Sequence, residues 1–214
     1  MYSDSGFTKN SAESSKAIKL LNRLKAKALS IKSYEAQINQ FVFKNPSRYY
    51  STGRIVFTSG NLFQVRLVSL LYNQQLKIEI REISDGTEGI TLTTTPFQTT
   101  KSGLNPDDSA YAPEVIYQNF LKEAVGFRVI SKDEFPKQWP EKNSEVHGVL
   151  GKARKKDGKI GRIVLWIDKN SGFPVKSLLL DKNKGVLFER EFFNLKINPE
   201  PEESFFQLEN FKKL

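Results

Sequence analysis

The chain has no cysteine and a single histidine, His147. Without cysteine there is no disulfide, no thiolate zinc site and no thiol nucleophile. One histidine excludes a histidine-cluster metal site and any two-histidine acid–base scheme. Glycine and proline are sparse, at 13 and 9 of 214 residues, which is below the range of low-complexity chains. No apolar run approaches the ~18 residues of a membrane-spanning helix. The start, Met1-Tyr2-Ser3-Asp4-Ser5-Gly6, lacks the basic and apolar segments of a secretion signal. Also missing are GxSxG, HExxH, a P-loop and a dinucleotide fingerprint. The expectation is therefore a non-enzymatic protein with no cofactor and no metal.

Aromatic and basic residues are plentiful. There are 16 Phe, and the formal net charge is +9. Much of that charge is local. Lys152, Arg154, Lys155, Lys156, Lys159 and Arg162, against Asp157 alone, give one tract a net +5. Its readings are a solvated hairpin tip, or a docking surface for an anionic membrane or acidic partner through Lys152, Arg154, Lys155, Lys156 and Lys159. Single-strand nucleic-acid binders interleave aromatics with basic residues. None lies within this tract, so no nucleic acid is expected.

Ser14 and Ser15 can cap a helix running to about Ile31, with an apolar stripe of Ala17, Ile18, Leu21, Leu24, Ala28 and Leu29. Lys16, Lys19, Arg23, Lys25, Lys27 and Lys32 fill its other face, either solvated or as a docking surface. Residues 1–14 read as a flexible tether and 15–214 as one domain. From Ser33 the period changes to two. Tyr34, Ala36 and Ile38 alternate with polar residues, and a shift to Phe41 and Phe43 suggests a bulge. Further alternating runs follow at 54–58, 62–71, 76–83 and 89–95, separated by turn residues, as in an antiparallel meander. Thr99 to Ala112 reads as a polar loop. Pro113 opens a second helix bearing Ile116, Phe120, Leu121 and Ala124. Strands then follow at 127–131, 145–154, 159–168, 173–180 and 186–197.

About ten strands with two or three helices give an α+β, mainly β fold. It is expected to be a curved antiparallel sheet forming an incomplete β-barrel, with helices covering the concave face. His147, beside Val146 and Val149 in a strand, reads as structural. The aromatic excess fits either a filled core or a partly unfilled apolar cavity.

Several motifs occur in a recognisable order. Leu29-Ser30-Ile31-Lys32-Ser33-Tyr34 precedes a Phe-containing strand, and Ser59-Gly60-Asn61-Leu62-Phe63 follows a strand led by Gly53. Ile83-Ser84-Asp85-Gly86 precedes Thr95-Pro96-Phe97. Trp166-Ile167-Asp168, Ser171-Gly172-Phe173-Pro174, Asp181 and Gly185 come next. The chain closes on Phe192-Phe193-Asn194-Leu195-Lys196-Ile197-Asn198 with Phe205-Phe206. This order resembles the bacterial periplasmic lipoprotein-carrier family, LolA/LolB-like, over about residues 16–208.

The resemblance implies a half-barrel with a helical lid over an apolar cavity. It implies a monomeric, non-enzymatic carrier or acceptor of lipoprotein acyl chains or other lipids. The compartment would be the periplasm, with the secretion signal removed and membrane tethering allowed. The implied partners are a lipid or acylated lipoprotein, an inner-membrane release complex or an outer-membrane acceptor. The expected cavity lining is Tyr34, Ile38, Ile55, Phe57, Phe63, Val65, Ile78, Ile80, Leu92, Phe97, Phe120, Trp166 and Phe188. One position departs from the family. The arginine that latches the lid in well-studied carriers is replaced by Ser59, which leaves Arg54 or Arg66 as a substitute. An envelope interaction or sensing module with a filled core stays open as the alternative.

Overall fold

The computed structural model describes residues 11–44, 47–71, 76–106, 111–130, 145–153 and 160–208. In chain order these form α1 (Ser11–Ala28), β1 (Ser33–Lys44), β2 (Ser47–Thr58), β3 (Leu62–Leu71), β4 (Leu76–Asp85), β5 (Gly89–Thr94) and β6 (Thr99–Leu104). Then come α2 (Pro113–Glu123), β7 (Ala124–Ile130), β8 (Val146–Ala153), β9 (Ile160–Asp168), β10 (Pro174–Asp181), β11 (Val186–Ile197) and a 3-10 turn, Glu203–Phe206. The strands make one antiparallel sheet in the order β6-β5-β4-β3-β2-β1-β11-β10-β9-β8-β7. Its outer strands β6 and β7 do not pair with each other, so it is not closed into a barrel. The mainly β, unclosed architecture is the one expected. The chain divides into two compact units, Met1–Ser30 with Ile116–Glu189, and Ile31–Val115 with Arg190–Leu214.

In the first unit, α1 buries Ala17, Leu21, Leu24 and Ala28, spaced at helical intervals and packed beside β7. Ile18 and Leu29, expected on the same stripe, are exposed. The helix starts at Ser11, inside the segment expected to be a tether. The β9–β10 turn anchors this unit. Asp168 Oδ1 accepts from the amides of Asn170 (3.1 Å) and Ser171 (2.7 Å) and from Ser171 Oγ (2.7 Å), an Asx arrangement that fixes the turn. Gly172 follows with φ +75°. Its amide donates to Asp168 O (2.9 Å), and its carbonyl accepts from the buried Tyr117 hydroxyl of α2 (2.7 Å).

The first unit's strands bury both faces. Gly151 approaches Phe127, whose ring lies 5.4 Å from Phe120 of α2. Gly151 pairs with Ile163, so Ile163 and Leu165 share that helix-bearing side. The intervening residues Leu150, Val164 and Trp166 point the other way. There they cluster with Ile130, Val146, Leu178 and Leu180.

In the second unit, register fixes which residues meet, because directly paired residues share a face. β1 pairs with β2 without interruption from Ser33↔Thr58 to Lys44↔Ser47, so the expected bulge does not interrupt this pairing. Phe41 lies on the alternate face, half-buried, against its partner Tyr50 with centroids 4.8 Å apart. β6 falls in the segment expected to be a loop. Its six residues Thr-Thr-Lys-Ser-Gly-Leu are nearly all exposed at a sheet edge, so no apolar alternation marks it.

One face of this unit carries rows set by the pairing: Tyr34, Phe57, Phe63 and Ser84; then Ala36, Ile55, Val65 and Glu82; then Ile38, Gly53, Leu67 and Ile80. The opposite face carries Arg54, Arg66, Arg81 and Leu92 in one row. Ile83, Ile90 and Leu92 there pack with Leu208, which follows the 3-10 turn.

Candidate functional site

The Tyr34 face of the second unit combines an apolar floor with a polar cap. Tyr34 stacks on Phe57 (5.3 Å between centroids) and meets Phe192 edge-on at 6.2 Å. Above them sits Tyr111, just ahead of α2, its ring 5.8 Å from Phe63. The Tyr34 hydroxyl donates to the Tyr111 carbonyl at 2.8 Å. The Tyr111 hydroxyl bonds the Glu82 carboxylate. The Arg190 guanidinium lies 4.8 Å from the Tyr111 ring centroid, a cation–π distance. Arg190 also donates through Nε and Nη2 to Gln40 Oε1, at 3.1 and 2.9 Å.

Burial sets the electrostatics here. It pushes the Tyr34 and Tyr111 hydroxyls well above the ordinary tyrosine value; Arg190 opposes this in both, while the Glu82 charge adds to the rise in Tyr111. At neutral pH both hydroxyls are donors, not nucleophiles. Burial likewise raises Glu82, against the Tyr111 hydrogen bond and the Arg190 charge. A carboxyl raised by folding contributes stability that is complete below the ordinary carboxylate pKa and is lost as pH rises through the folded value. Glu82→Gln keeps an acceptor for Tyr111 and removes this loss. Urea midpoints of the two proteins are expected to diverge in favour of the variant as pH climbs from 4 to 7. A constant difference across that range would contradict the buried-carboxyl account.

The expected lining residues are only partly brought together. Tyr34, Ile38, Ile55, Phe57, Phe63 and Val65 share the capped face, and all but Phe57, at 4%, are 0% exposed. Ile78 and Ile80 lie on the same face and are half-buried. Leu92 is on the opposite face, because it pairs with Arg81 and Arg81 pairs with Arg66. Phe97 stands 87% exposed at the β5–β6 turn. Phe120 and Trp166 belong to the first unit and occupy opposite faces of its strands. Phe188 is half-buried on β11. Lys152 is exposed on β8, whereas Arg154, Lys155, Lys156 and Lys159 lie outside the described residues.

Neither substitute for the missing latch arginine reaches the capped face. Arg54 Nη2 bonds Glu35 at 3.0 Å and Arg66 Nε bonds Glu79 at 2.8 Å, both on the far side. Arg190 is the arginine at the cap. Sequence reading missed Glu82, Arg190 and Gln40, although two carried a signal. Glu82 continues the Ile78, Ile80 alternation, and Arg190 sits between Phe188 and Phe192, so each is a charge at an inward position. Tyr111 was hidden in the polar stretch before Pro113. Among the described residues, no group of three His, Asp or Glu is arranged to hold a metal ion.

Neither a protein-family model nor a curated protein matches the sequence. Solved structures do share the fold. MucB is 20% identical at a TM-score of 0.51, covering 91% of this chain and 63% of MucB, so the chain spans about three fifths of that protein. A conserved protein of Thermus thermophilus is 14% identical at a TM-score of 0.50, covering 90% of this chain and 93% of that one. A LolA superfamily protein from Nitrosomonas europaea is 8% identical at 0.35, covering 91% and 98%. Likeness at these identities speaks of the fold alone.

Proposed function

We propose that the chain is a non-enzymatic, periplasmic binding protein that takes an acyl chain, free or on a lipoprotein, onto the Tyr34 face when the Tyr111 cap lifts. One observation carries this reading: the cap over an apolar face is fastened by polar contacts. Holding the half-buried Glu82 and Arg190 at a site that apolar side chains alone can fill costs stability. A polar fastening can exchange partners, so it suits an element with two positions. Seating a chain contributes about 0.8 kcal/mol per CH₂, close to what leaving a bilayer costs, so transfer needs no fuel at this protein.

A second reading is favoured by the zero exposure of Tyr34, Ile38, Ile55, Phe63 and Val65. With these side chains in full contact with their own neighbours, the protein is an envelope interaction module whose core is already occupied. Native mass spectrometry of the purified chain separates the two, followed by displacement of an apolar fluorescent dye with a fatty acid. The carrier reading expects an adduct of lipid mass and one-to-one displacement. A lipid-free mass with no saturable dye uptake would establish the filled core instead.

A further inference from the structure

A second site lies in the first unit and is independent of the Tyr34 face. Lys16, Lys19, Leu20 and Arg23 recur at helical spacing along one side of α1. With Val129 of β7 and His147 of β8 they enclose a groove of about 560 Å³. Its floor is half-buried Leu20, Val129 and His147, and its rim is the exposed Lys16, Lys19 and Arg23. Among the described residues that line the groove, Glu13 at the helix start is the one carboxylate. The cationic rim continues beyond the groove. Lys27 Nζ donates to Lys169 O at 2.7 Å, on the β9–β10 turn. Glu145, just ahead of β8, is bonded by Asn170.

We propose that this groove binds an acidic, amphipathic peptide segment of a partner protein, with an apolar side chain on Leu20 and Val129 and carboxylates against Lys16, Lys19 and Arg23. Charge complementarity selects an acidic occupant. The recessed floor selects a peptide over a membrane. A flat bilayer meets the raised lysines and cannot reach Leu20 beneath them, whereas a single segment fits between helix and strands. The rim from Lys16 to Arg23 spans ~10 Å, about two turns, which suits a short peptide. His147 is held below its ordinary pKa by burial, then by Lys169, Arg23 and Lys27. The smaller, charge-based part of that depression comes from cations that flank or continue the rim.

His147 is the protein's single histidine, so its ring resonances are an unambiguous probe. The test is NMR titration of the whole chain with a synthetic Glu/Leu peptide of about twelve residues, ~18 Å if helical. Parallel arms use its Lys/Leu counterpart, phosphatidylglycerol vesicles and inorganic phosphate. The acidic peptide is expected to move the His147 signals, to raise the histidine's pKa by neutralising its cationic neighbours, and to bind more weakly as salt increases. Lys16→Glu with Lys19→Glu and Arg23→Glu, all at exposed positions, is expected to weaken binding at least about tenfold with the circular dichroism unchanged. Leu20→Ser alone is expected to weaken it less. Unmoved His147 signals, equal binding by the charge-reversed protein, or responses to vesicles or phosphate that match the peptide's would each overturn the proposal.

Discussion

Gly172→Ala is expected to destabilise the protein by about 3 kcal/mol, a fall of roughly 6–12 °C in melting temperature. Two costs combine. At φ +75° an L side chain is strained by about 1–2 kcal/mol. A Cβ there also has no room. It would stand 2.2 Å from Leu24 O and 2.9 Å from Ala28 N, both backbone atoms of α1. The helix would have to move, at a cost of about 1–3 kcal/mol. Gly172 also accepts the Tyr117 hydroxyl, so the turn joins α1 to α2 through one residue with no side chain. Gly103→Ala is the control, since a Cβ there meets nothing within 4 Å. It is expected to leave the melting temperature unchanged or raise it by about 1–4 °C. Equal melting temperatures for the two variants would show that α1 does not pack on this turn.

Tyr111→Ala is expected to lower unfolding free energy by about 3–4 kcal/mol, the usual cost of removing a buried aromatic side chain. The ring is nearly buried between Phe63 and Arg190, and its hydroxyl bonds Glu82, so deletion leaves a void lined by polar and apolar groups together. Tyr111→Phe separates packing from fastening. It keeps the ring and removes only the bond to Glu82, worth about 1 kcal/mol. If the cap must lift before an acyl chain binds, that loss lowers the cost of opening and raises fatty-acid affinity by about fivefold. A permanent core makes Tyr111→Phe slightly less stable and no better at binding. Dye-displacement isotherms of the two variants beside the parent decide the matter. Tighter binding by the phenylalanine variant supports a movable cap, and unchanged binding rejects it.

Much of the strand order was legible, because half-buried antiparallel strands write their burial into alternate residues. Tyr34, Ala36 and Ile38 were placed on one face correctly, as were Ile55 with Phe57 and Phe63 with Val65. Elements without that imprint were not legible. β6 is a Thr-rich, exposed edge strand, and the Ser47–Arg54 stretch of β2 alternates half-buried with exposed residues rather than core with solvent. Within one strand, alternation says which residues agree. It does not say how the faces of two strands correspond, since a one-residue difference in register exchanges them. Leu92 was misplaced for this reason. Trp166 and Phe120 are both in the expected lining, yet large apolar character carries no direction, and the structure sets them on opposite faces of the first unit's strands.

By itself the sequence determined the material of this protein: an antiparallel, mainly β chain with amphipathic helices, rich in phenylalanine, basic in patches and without thiol or histidine-cluster chemistry. These follow from local periodicity and from residue types that are present or missing. Only the tertiary structure decided which side chains meet. It put Arg190 rather than Arg54 or Arg66 at the cap, set Glu82 beneath Tyr111, and brought His147 to the floor of a lysine-rimmed groove. The reason is physical. Apolar burial is non-directional and rewards any partner of suitable area, so a pattern of buried positions is the same whether a neighbouring strand, a cap or a guest covers them.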